Sequence, residues 1–387
     1  MLRKVAYAGS QSGSFVAATK DLEALAETKV SRERVQRWTK RVGEECVEEA
    51  KRSAEQHQAL PLPQQQQSPT DQAPQVACVM MDGGRIQIRD RRAAERDTKG
   101  YWKESLAGCC LSMVSKEHAQ DPCPTIPKTF VDPERIRDLS REIKGISTSV
   151  EDAATSGEAW PDDRDGRPEV LVKSVVATRA GQDALGPRLA AEAHSRGFPA
   201  ARRKAFVADG SATNWGVHKK HFSHYTPILD FTHAVCYVYA AAMAGRPNQA
   251  GWSDYVCWAQ WLWEGAVGKL IPAVQRRSEQ LGPPADGDET SPAAMVARTL
   301  VYLQNQRGRM KYGVYRRLGL PITSSHIEST IKQINRRMKG TEKFWDQGAE
   351  SLLALVAAHL SQTNRLDRFW NNRRNRLHCM RCYQSAA

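Results

Sequence analysis

The sequence predicts an α/β protein, and two short apolar runs followed by a helical stretch carry that prediction. Residues 204–208 form an apolar run that ends at Asp209, and residues 226–229 form a second run that ends at Asp230. Short apolar runs bounded by turn residues are typical of buried strands. The second run passes directly into FTHAVCYVYAAAMA, whose apolar residues recur at helical spacing. A sheet with carboxylates at its strand ends is suited to bind a hard divalent cation, although Asp-Gly is also common turn chemistry.

The pattern in the rest of the chain predicts an N-terminal helical region and a linker, then three strands, and then mostly helices. VACVMMDGGRIQIR, residues 76–89, contains an apolar run that reaches Asp82, and the glycine pair that follows favours a tight turn into a second strand. In chain order the predicted elements are helices within 18–55, a Pro- and Gln-rich linker at 61–75, strands at 76–82, 86–88 and 105–114, a helix at 133–144, an ambiguous stretch at 169–177, a helix at 183–196 and a mostly helical region at 234–320.

A second informative stretch lies at residues 319–360. Its apolar positions 327, 331, 334 and 338 share one helix face, and Glu328 and Lys332 lie together on another. This spacing lets an acid and a base point into one cleft. The alternative is a capping box, because Ser325 stands three residues before Glu328 and a Glu at that spacing satisfies a backbone donor at the start of a helix.

Composition favours a polyanionic partner. The 387 residues carry a net charge of +13 and have a pI near 9.4. There is no apolar run long enough for a membrane span and no apolar signal segment at the start, so we expect a soluble intracellular protein. Nine cysteines without regular spacing fit reduced thiols.

Basic residues cluster in three places where they could contact nucleic-acid phosphates. The helices within residues 18–55 resemble a helix-turn-helix with a basic second helix, although a solvated helix face accounts for the same charges. The predicted phosphate-contacting residues are Arg34, Arg37, Arg307, Arg309, Lys311, Arg316, Arg317, Lys332, Arg336 and Arg337.

Four motifs in a fixed order give the chain a family resemblance. VMMDGGRIQIR, VADGSATNW, ILDFTHA and SSHIESTIKQINRRMKGTEKFWDQGAESLLAL resemble motifs of the DDE transposases of bacterial insertion sequences. The likeness is to the ISKra type (number four) of the Mutator-like class, and it extends from about residue 25 to residue 360. The last motif is the most specific.

The resemblance implies a fold and a site. The fold is a ribonuclease H-like mixed five-stranded sheet flanked by helices, with a helical insertion and an N-terminal helical domain. It implies that Asp82, Asp209 and Glu328 are catalytic and hold two Mg²⁺ or Mn²⁺ ions. Asp230 and His233 match a signature that supports the site or positions DNA. Whether Asp209 or Asp230 is the second catalytic acid stays open, because both end a strand.

The resemblance also implies a reaction and partners. Water attacks a phosphodiester at the element end, and the freed 3′ hydroxyl then joins target DNA. The partners are double-stranded DNA, namely terminal inverted repeats and target, and further copies of the chain in a homodimer or higher oligomer on DNA. The expected location is the bacterial cytoplasm, at the nucleoid. A DNA-binding transposase remnant and a nuclease without strand transfer are the alternatives. The implied regions are 1–60 for DNA binding, shorter than in relatives of this type, 61–75 as linker, 76–235 and 321–360 as catalytic core, 236–320 as insertion and 361–387 as basic tail.

Overall fold

The computed structural model describes residues 1–89, 102–144, 167–340, 343, 345, 346 and 348–385. Within them lies one five-stranded mixed sheet with the strand order β3-β2-β1-β4-β5. β1 pairs with β2, and β2 with β3, in antiparallel fashion, whereas β1 with β4, and β4 with β5, are parallel. The strands are β1 Val76–Gln87, β2 Trp102–Val114, β3 Glu169–Thr178, β4 Arg203–Ala208 and β5 Thr226–Leu229.

Helices surround this sheet and also form the region between β5 and the last part of the chain. The α-helices are α1 Leu2–Gln11, α2 Phe15–Ala26, α3 Arg32–Ala59, α4 Leu62–Gln65, α5 Pro133–Lys144, α6 Gln182–Ser195, α7 Ala212–His221, α8 Phe231–Met243, α9 Asn248–Glu264, α10 Val267–Leu281, α11 Pro292–Gln306, α12 Tyr312–Arg317, α13 Ser325–Met338, α14 Ala349–Leu360 and α15 Arg365–Ser385.

Two adjacent cysteines of β2 identify the two faces of the sheet. Consecutive residues of a strand point to opposite faces. Cys109 Sγ lies 3.4 Å from the hydroxyl of Thr330 on α13, and Cys110 Sγ lies 3.9 Å from the carbonyl oxygen of Leu189 on α6. Both cysteines are buried. The sheet is therefore covered by α13 on one face and by α6 on the other.

The predicted turn at Gly83 and Gly84 is wrong. β1 continues through both glycines, and its antiparallel pairing with β2 runs from Val76 to Gln87 without a break. Asp82 faces Ala107 across this ladder. The regular ladder of a long strand pair thus prevails over the local turn preference of a glycine pair. Asp82 lies inside a strand rather than at a strand tip.

Other sequence expectations hold. The ambiguous stretch at 169–177 is the edge strand β3, and β5 and α8 occupy the predicted positions. Residues 236–320 are mostly helical, as expected. Among the residues that the structure describes, no helix has both the length and the apolar character needed to cross a bilayer.

The N-terminal helices differ from a compact helix-turn-helix. The second helix of the predicted pair, α3, is 28 residues long, and it packs against α6 and α14. Its contact with α14 is close at Gly43, where a Cβ would stand 2.2 Å from the carbonyl oxygen of Ser351. The predicted linker includes the short helix α4, and the carbonyl oxygen of Gln72 lies close to Gly197. These helices therefore pack on the same body as the sheet.

Candidate functional site

Three aspartates stand in one row where the parallel strands meet. The β1–β4 register ends with Met80 beside Val207, and two residues further along each chain are Asp82 and Asp209. The β4–β5 register ends with Ala208 beside Leu229, so Asp209 and Asp230 come next on that pair. Neighbouring strands lie about 4.8 Å apart. The register thus sets Asp82 and Asp209 side by side on neighbouring strands, and Asp230 extends the row.

Asp82 is partly buried among like charges. Its Oδ1 accepts a hydrogen bond of 2.7 Å from the backbone N–H of Gly83. Burial raises the pKa of Asp82 from 3.8 to about 6, and the negative charge of Asp209 adds to this effect. The Gly83 N–H and the positive charge of His233 act in the opposite direction and are outweighed. A carboxyl group whose ionisation is unfavourable in the folded protein suits a site that binds a cation.

Asp209 is fixed by the start of α7. Its Oδ1 accepts hydrogen bonds from the backbone N–H of Ser211 at 2.9 Å and from Nδ2 of Asn214 at 2.7 Å. The buried Asn214 also lies 3.5 Å from the carbonyl oxygen of Met81, the residue before Asp82. One amide group therefore links the β4 end to β1 and sets the spacing of the two acids.

Helix α11, in the helical region between β5 and α13, holds the same turn from the other side. The Tyr302 hydroxyl on α11 donates a 2.8 Å hydrogen bond to the carbonyl oxygen of Asp209, and Nε2 of Gln306 donates to that of Gly210. Gly210 has a φ of +101°, and a Cβ there would lie 2.8 Å from the Tyr302 ring. Only glycine fits this conformation and this contact at low cost. Helix α11 is thus part of the scaffold of the site.

Asp230 is the buried centre of a second set of contacts. It N-caps α8, and its Oδ2 accepts the backbone N–H of His233 at 2.8 Å and lies 2.6 Å from Nδ1 of the same residue. Its Oδ1 accepts the backbone N–H of Ser324 at 2.7 Å, directly before α13. The Ser324 hydroxyl then donates a 2.7 Å hydrogen bond to Oε1 of Glu328. Asp230 therefore connects β5 to the helix that carries the third acid.

The predicted alternative for Glu328 is wrong. Ser324, not Ser325, precedes the first residue of α13, and the Ser324 side chain makes no capping hydrogen bond. Glu328 instead contacts the Ser324 hydroxyl and the charged cluster. A capping role therefore does not account for this carboxylate.

The group Asp230, His233 and Glu328 could hold a metal ion, since one ligand atom of each lies within 4.8 Å of the others. Burial lowers the pKa of His233, but the hydrogen bond and charge of Asp230, with the charges of Asp209 and Glu328, prevail and raise it to about 9. Burial and the charge of Asp230 raise the pKa of Glu328. The cluster is thus acidic, partly buried and balanced by one imidazolium.

The donor set fits hard divalent cations. Asp82, Asp209 and Glu328 are each partly exposed, and within the described residues one oxygen of each, namely Oδ2, Oδ2 and Oε2, accepts no hydrogen bond from the protein. The two oxygens of the fully buried Asp230 already accept three. Mg²⁺ and Mn²⁺ prefer such carboxylate oxygens. The residues with spare oxygens are the three acids predicted to be catalytic.

Two of the predicted phosphate-contacting arginines are instead buried, so these predictions are wrong. Arg337 is 4% exposed, donates two hydrogen bonds to the carbonyl oxygen of Gly9 and lies over the rings of Phe15 and Trp345. Arg316 is 8% exposed and pairs with Asp121. Their sequence neighbours suggested a basic surface, but the helix periodicity turns each of them inward.

The other predicted basic residues lie at or near the surface. Arg309 is partly buried, with its guanidinium 4.2 Å from the centre of the Trp215 ring. Those that are exposed are Arg34, Arg37, Arg307, Lys311, Arg317, Lys332 and Arg336.

Sequence reasoning missed the residues that support the acids. Asn214 and Ser324 lie inside two of the four motifs and close to an acid in sequence. A polar residue near the start of a helix was therefore a signal that could have identified them. Tyr302 and Gln306 lie on one face of α11, far along the chain from Asp209. No local pattern identifies such long-range partners.

Comparison with known proteins adds no family assignment: the chain matches no family model and no curated protein sequence.

Proposed function

We propose that this protein is a metal-dependent DNA transposase of the DDE type with a ribonuclease H-like catalytic core. The observation that carries the proposal is the convergence of Asp82, Asp209 and Glu328, which lie 127 and 119 residues apart in the chain, on one charged cluster. The strand order β3-β2-β1-β4-β5, with antiparallel pairing on the β2 side and parallel pairing on the β4 side, supports the fold assignment.

In this proposal Asp82, Asp209 and Glu328 hold two divalent ions. Bound Mg²⁺ or Mn²⁺ would supply the positive charge that promotes attack on a phosphodiester and stabilises the leaving oxygen. The protein contributes positioning and charge. The ladder between β1 and β4 sets the spacing of the first two acids, and α13 brings the third to the same place.

Asp230 and His233 act as positioning residues rather than as ligands of these ions. Asp230 uses both oxygens to hold His233 and the N-terminal end of α13. The hydroxyl of Ser324 in turn holds Glu328 through a hydrogen bond to Oε1. The imidazolium of His233 lowers the repulsion among the acids, because its raised pKa keeps it charged at neutral pH.

The DNA substrate is bound through phosphates. Lys332 lies one turn beyond Glu328 on α13, and Arg336 one turn further, both exposed. Arg307, Lys311 and Arg317 add positive charge at the end of the insertion. The proposed reaction is hydrolysis at the element end followed by joining of the freed 3′ hydroxyl to target DNA. Both steps use the same site.

A nicking and strand-transfer assay tests this proposal. The substrates are duplexes from the DNA that flanks the coding region, with Mg²⁺ or Mn²⁺. Asp82→Asn, Asp209→Asn and Glu328→Gln should each abolish cleavage and joining while duplex binding is retained. Asp286→Asn, in the exposed loop between α10 and α11, is the matched control and should be fully active. Cleavage at the wild-type rate by any of the three variants would remove that residue from the site, and cleavage without joining would assign a nuclease instead.

A further inference from the structure

The last helix, α15, exposes a stripe made only of Arg and Asn within its first three turns. Arg368, Asn371, Asn372 and Asn375 stand at i, i+3, i+4 and i+7, so they share one face of the helix. All four are exposed, and the exposed Arg374 flanks them. In most helices of globular proteins this spacing marks the buried apolar face. Here the same spacing marks a polar face turned to solvent.

The opposite face of α15 fixes the helix on the body of the protein. Leu366, Phe369, Trp370 and Arg373 follow the same spacing, and Phe369 and Trp370 are buried in a cluster with residues of α1, α3 and α14. Arg373 donates hydrogen bonds of 2.7 and 3.2 Å to the carboxylate of Glu45 on α3. Because one face is anchored, the Arg and Asn stripe has a defined direction.

The composition of the stripe is unfavourable for a helix that only meets water. Asn is a poor helix former, since its side chain competes for backbone hydrogen bonds. Three Asn within five positions therefore weaken α15. Asn and Arg are, however, among the side chains that bind base edges in a bidentate manner, Asn with adenine and Arg with guanine. The stripe thus has the chemistry of a base-reading surface.

Charge complementarity also favours a polyanion. Within residues 365–376 the only acid is Asp367, and its Oδ1 lies 2.6 Å from an Arg3 nitrogen. Glu45 on α3 is paired with Arg373, and Glu192 on α6 is paired with Arg365. A single helix of 10–12 Å diameter fits the major groove of B-form DNA, which is about 12 Å wide.

We propose that α15 is a DNA-recognition helix that lies in the major groove, with Asn371, Asn372 and Asn375 on base edges and Arg368 and Arg374 on guanine or phosphate. The occupant is double-stranded DNA. This inference rests on the proposed function only in that DNA is the substrate, because recognition by α15 requires neither the acids nor a metal ion.

The test uses the full-length protein in EDTA, so that no cleavage occurs. A pool of randomised 24-base-pair duplexes is selected for binding, and the affinities for the selected and a scrambled duplex are measured by fluorescence anisotropy across salt concentrations. The variants are Asn371→Ala/Asn372→Ala/Asn375→Ala and Arg368→Ala/Arg374→Ala. Lys269→Ala/Arg276→Ala is the control, since it removes the same charge from exposed positions of α10.

The triple Asn variant should lose at least about tenfold of the preference for the selected duplex while its affinity for the scrambled duplex changes less than about twofold. The double Arg variant should weaken both and reduce the salt slope by about two. Ala favours the helix more than Asn does, so loss of preference in the triple variant cannot come from unfolding of α15, and circular dichroism checks this.

Three outcomes would overturn the inference: no sequence preference in the wild-type protein, a preference for single-stranded RNA over duplex DNA, or α15 variants that behave like the α10 control. The two proposals can fail separately. If Asp82→Asn binds the selected duplex normally and the wild-type protein cleaves nothing, the recognition helix stands and the transposase activity fails. If the wild-type protein cleaves and the α15 variants keep full preference, the transposase activity stands and the recognition helix fails.

Discussion

Asp82→Asn should stabilise the metal-free protein, and the size of the effect follows from the site. Burial and the charge of Asp209 raise the folded-state pKa of Asp82 to about 6 from 3.8. A raised carboxyl pKa means that the folded state holds the proton more firmly than the unfolded state. The contribution to stability is complete below the unfolded pKa and is lost as the pH rises through the folded pKa.

At 1.36 kcal/mol per pKa unit, the raised pKa of Asp82 lowers the unfolding free energy by about 3 kcal/mol at pH 8, relative to low pH. At pH 5 the loss is about half as large, because part of the titration is still incomplete. Asn keeps the shape and the acceptor for the Gly83 N–H without the charge. An unfolding entropy of about 0.8 kcal/mol/K for a chain of this length converts 3 kcal/mol into about 4 °C.

Differential scanning calorimetry in EDTA at pH 5 and pH 8 measures this gain. Added Mg²⁺ should reverse the order of the melting temperatures, because the wild-type cluster gains the cation that the variant binds poorly. Asp286→Asn serves as the control and should leave the melting temperature unchanged in EDTA and in Mg²⁺. If Asp82→Asn melts at or below the wild-type temperature at pH 8 in EDTA, the repulsive acid cluster that underlies the site is refuted.

Four further substitutions test how the site and the surface are built. Tyr302→Phe removes the hydrogen bond to the Asp209 carbonyl, so we expect a loss of about 1 kcal/mol in unfolding free energy and several-fold weaker Mn²⁺ binding by calorimetry. Unchanged Mn²⁺ affinity would exclude α11 from the support of the site. Ser324→Ala removes a hydrogen bond that lowers the pKa of Glu328, so this pKa should rise further in the variant. Mn²⁺ binding should therefore weaken more near pH 6 than at pH 8. An equal loss of binding at both pH values would contradict this. Arg337→Ala should lower the unfolding free energy by about 2 kcal/mol and have little effect on duplex binding per folded molecule. Arg336→Ala should weaken duplex binding and leave the melting temperature unchanged. Reversed effects would mean that the burial of Arg337 and the exposure of Arg336 are misassigned.

The sequence was most informative where an apolar run ends at a charged residue. β5 and α8 lie where the run before Asp230 and the periodic stretch after it predict them. The strand register then does what no local pattern can do, because it sets Asp82 and Asp209 on neighbouring strands. The motif order anticipated this meeting only through the family resemblance.

Local rules failed where distant contacts decide the outcome. Gly83 and Gly84 favour a turn, but pairing with β2 keeps them in a strand. Arg337 sits in a basic run, but its contacts with Gly9, Phe15 and Trp345 bury it. Both errors have one cause: tertiary contacts override preferences that are worth about 1 kcal/mol each.

Crystals of the full chain soaked in Mn²⁺, with anomalous diffraction at the manganese edge, test the central claim most directly. The account predicts anomalous peaks among the carboxylates of Asp82, Asp209 and Glu328, with Asp230 still bound to Ser324 and His233. A peak held by Asp230, His233 and Glu328 while Asp82 and Asp209 stay unligated, or no peak at the acid cluster, would contradict it.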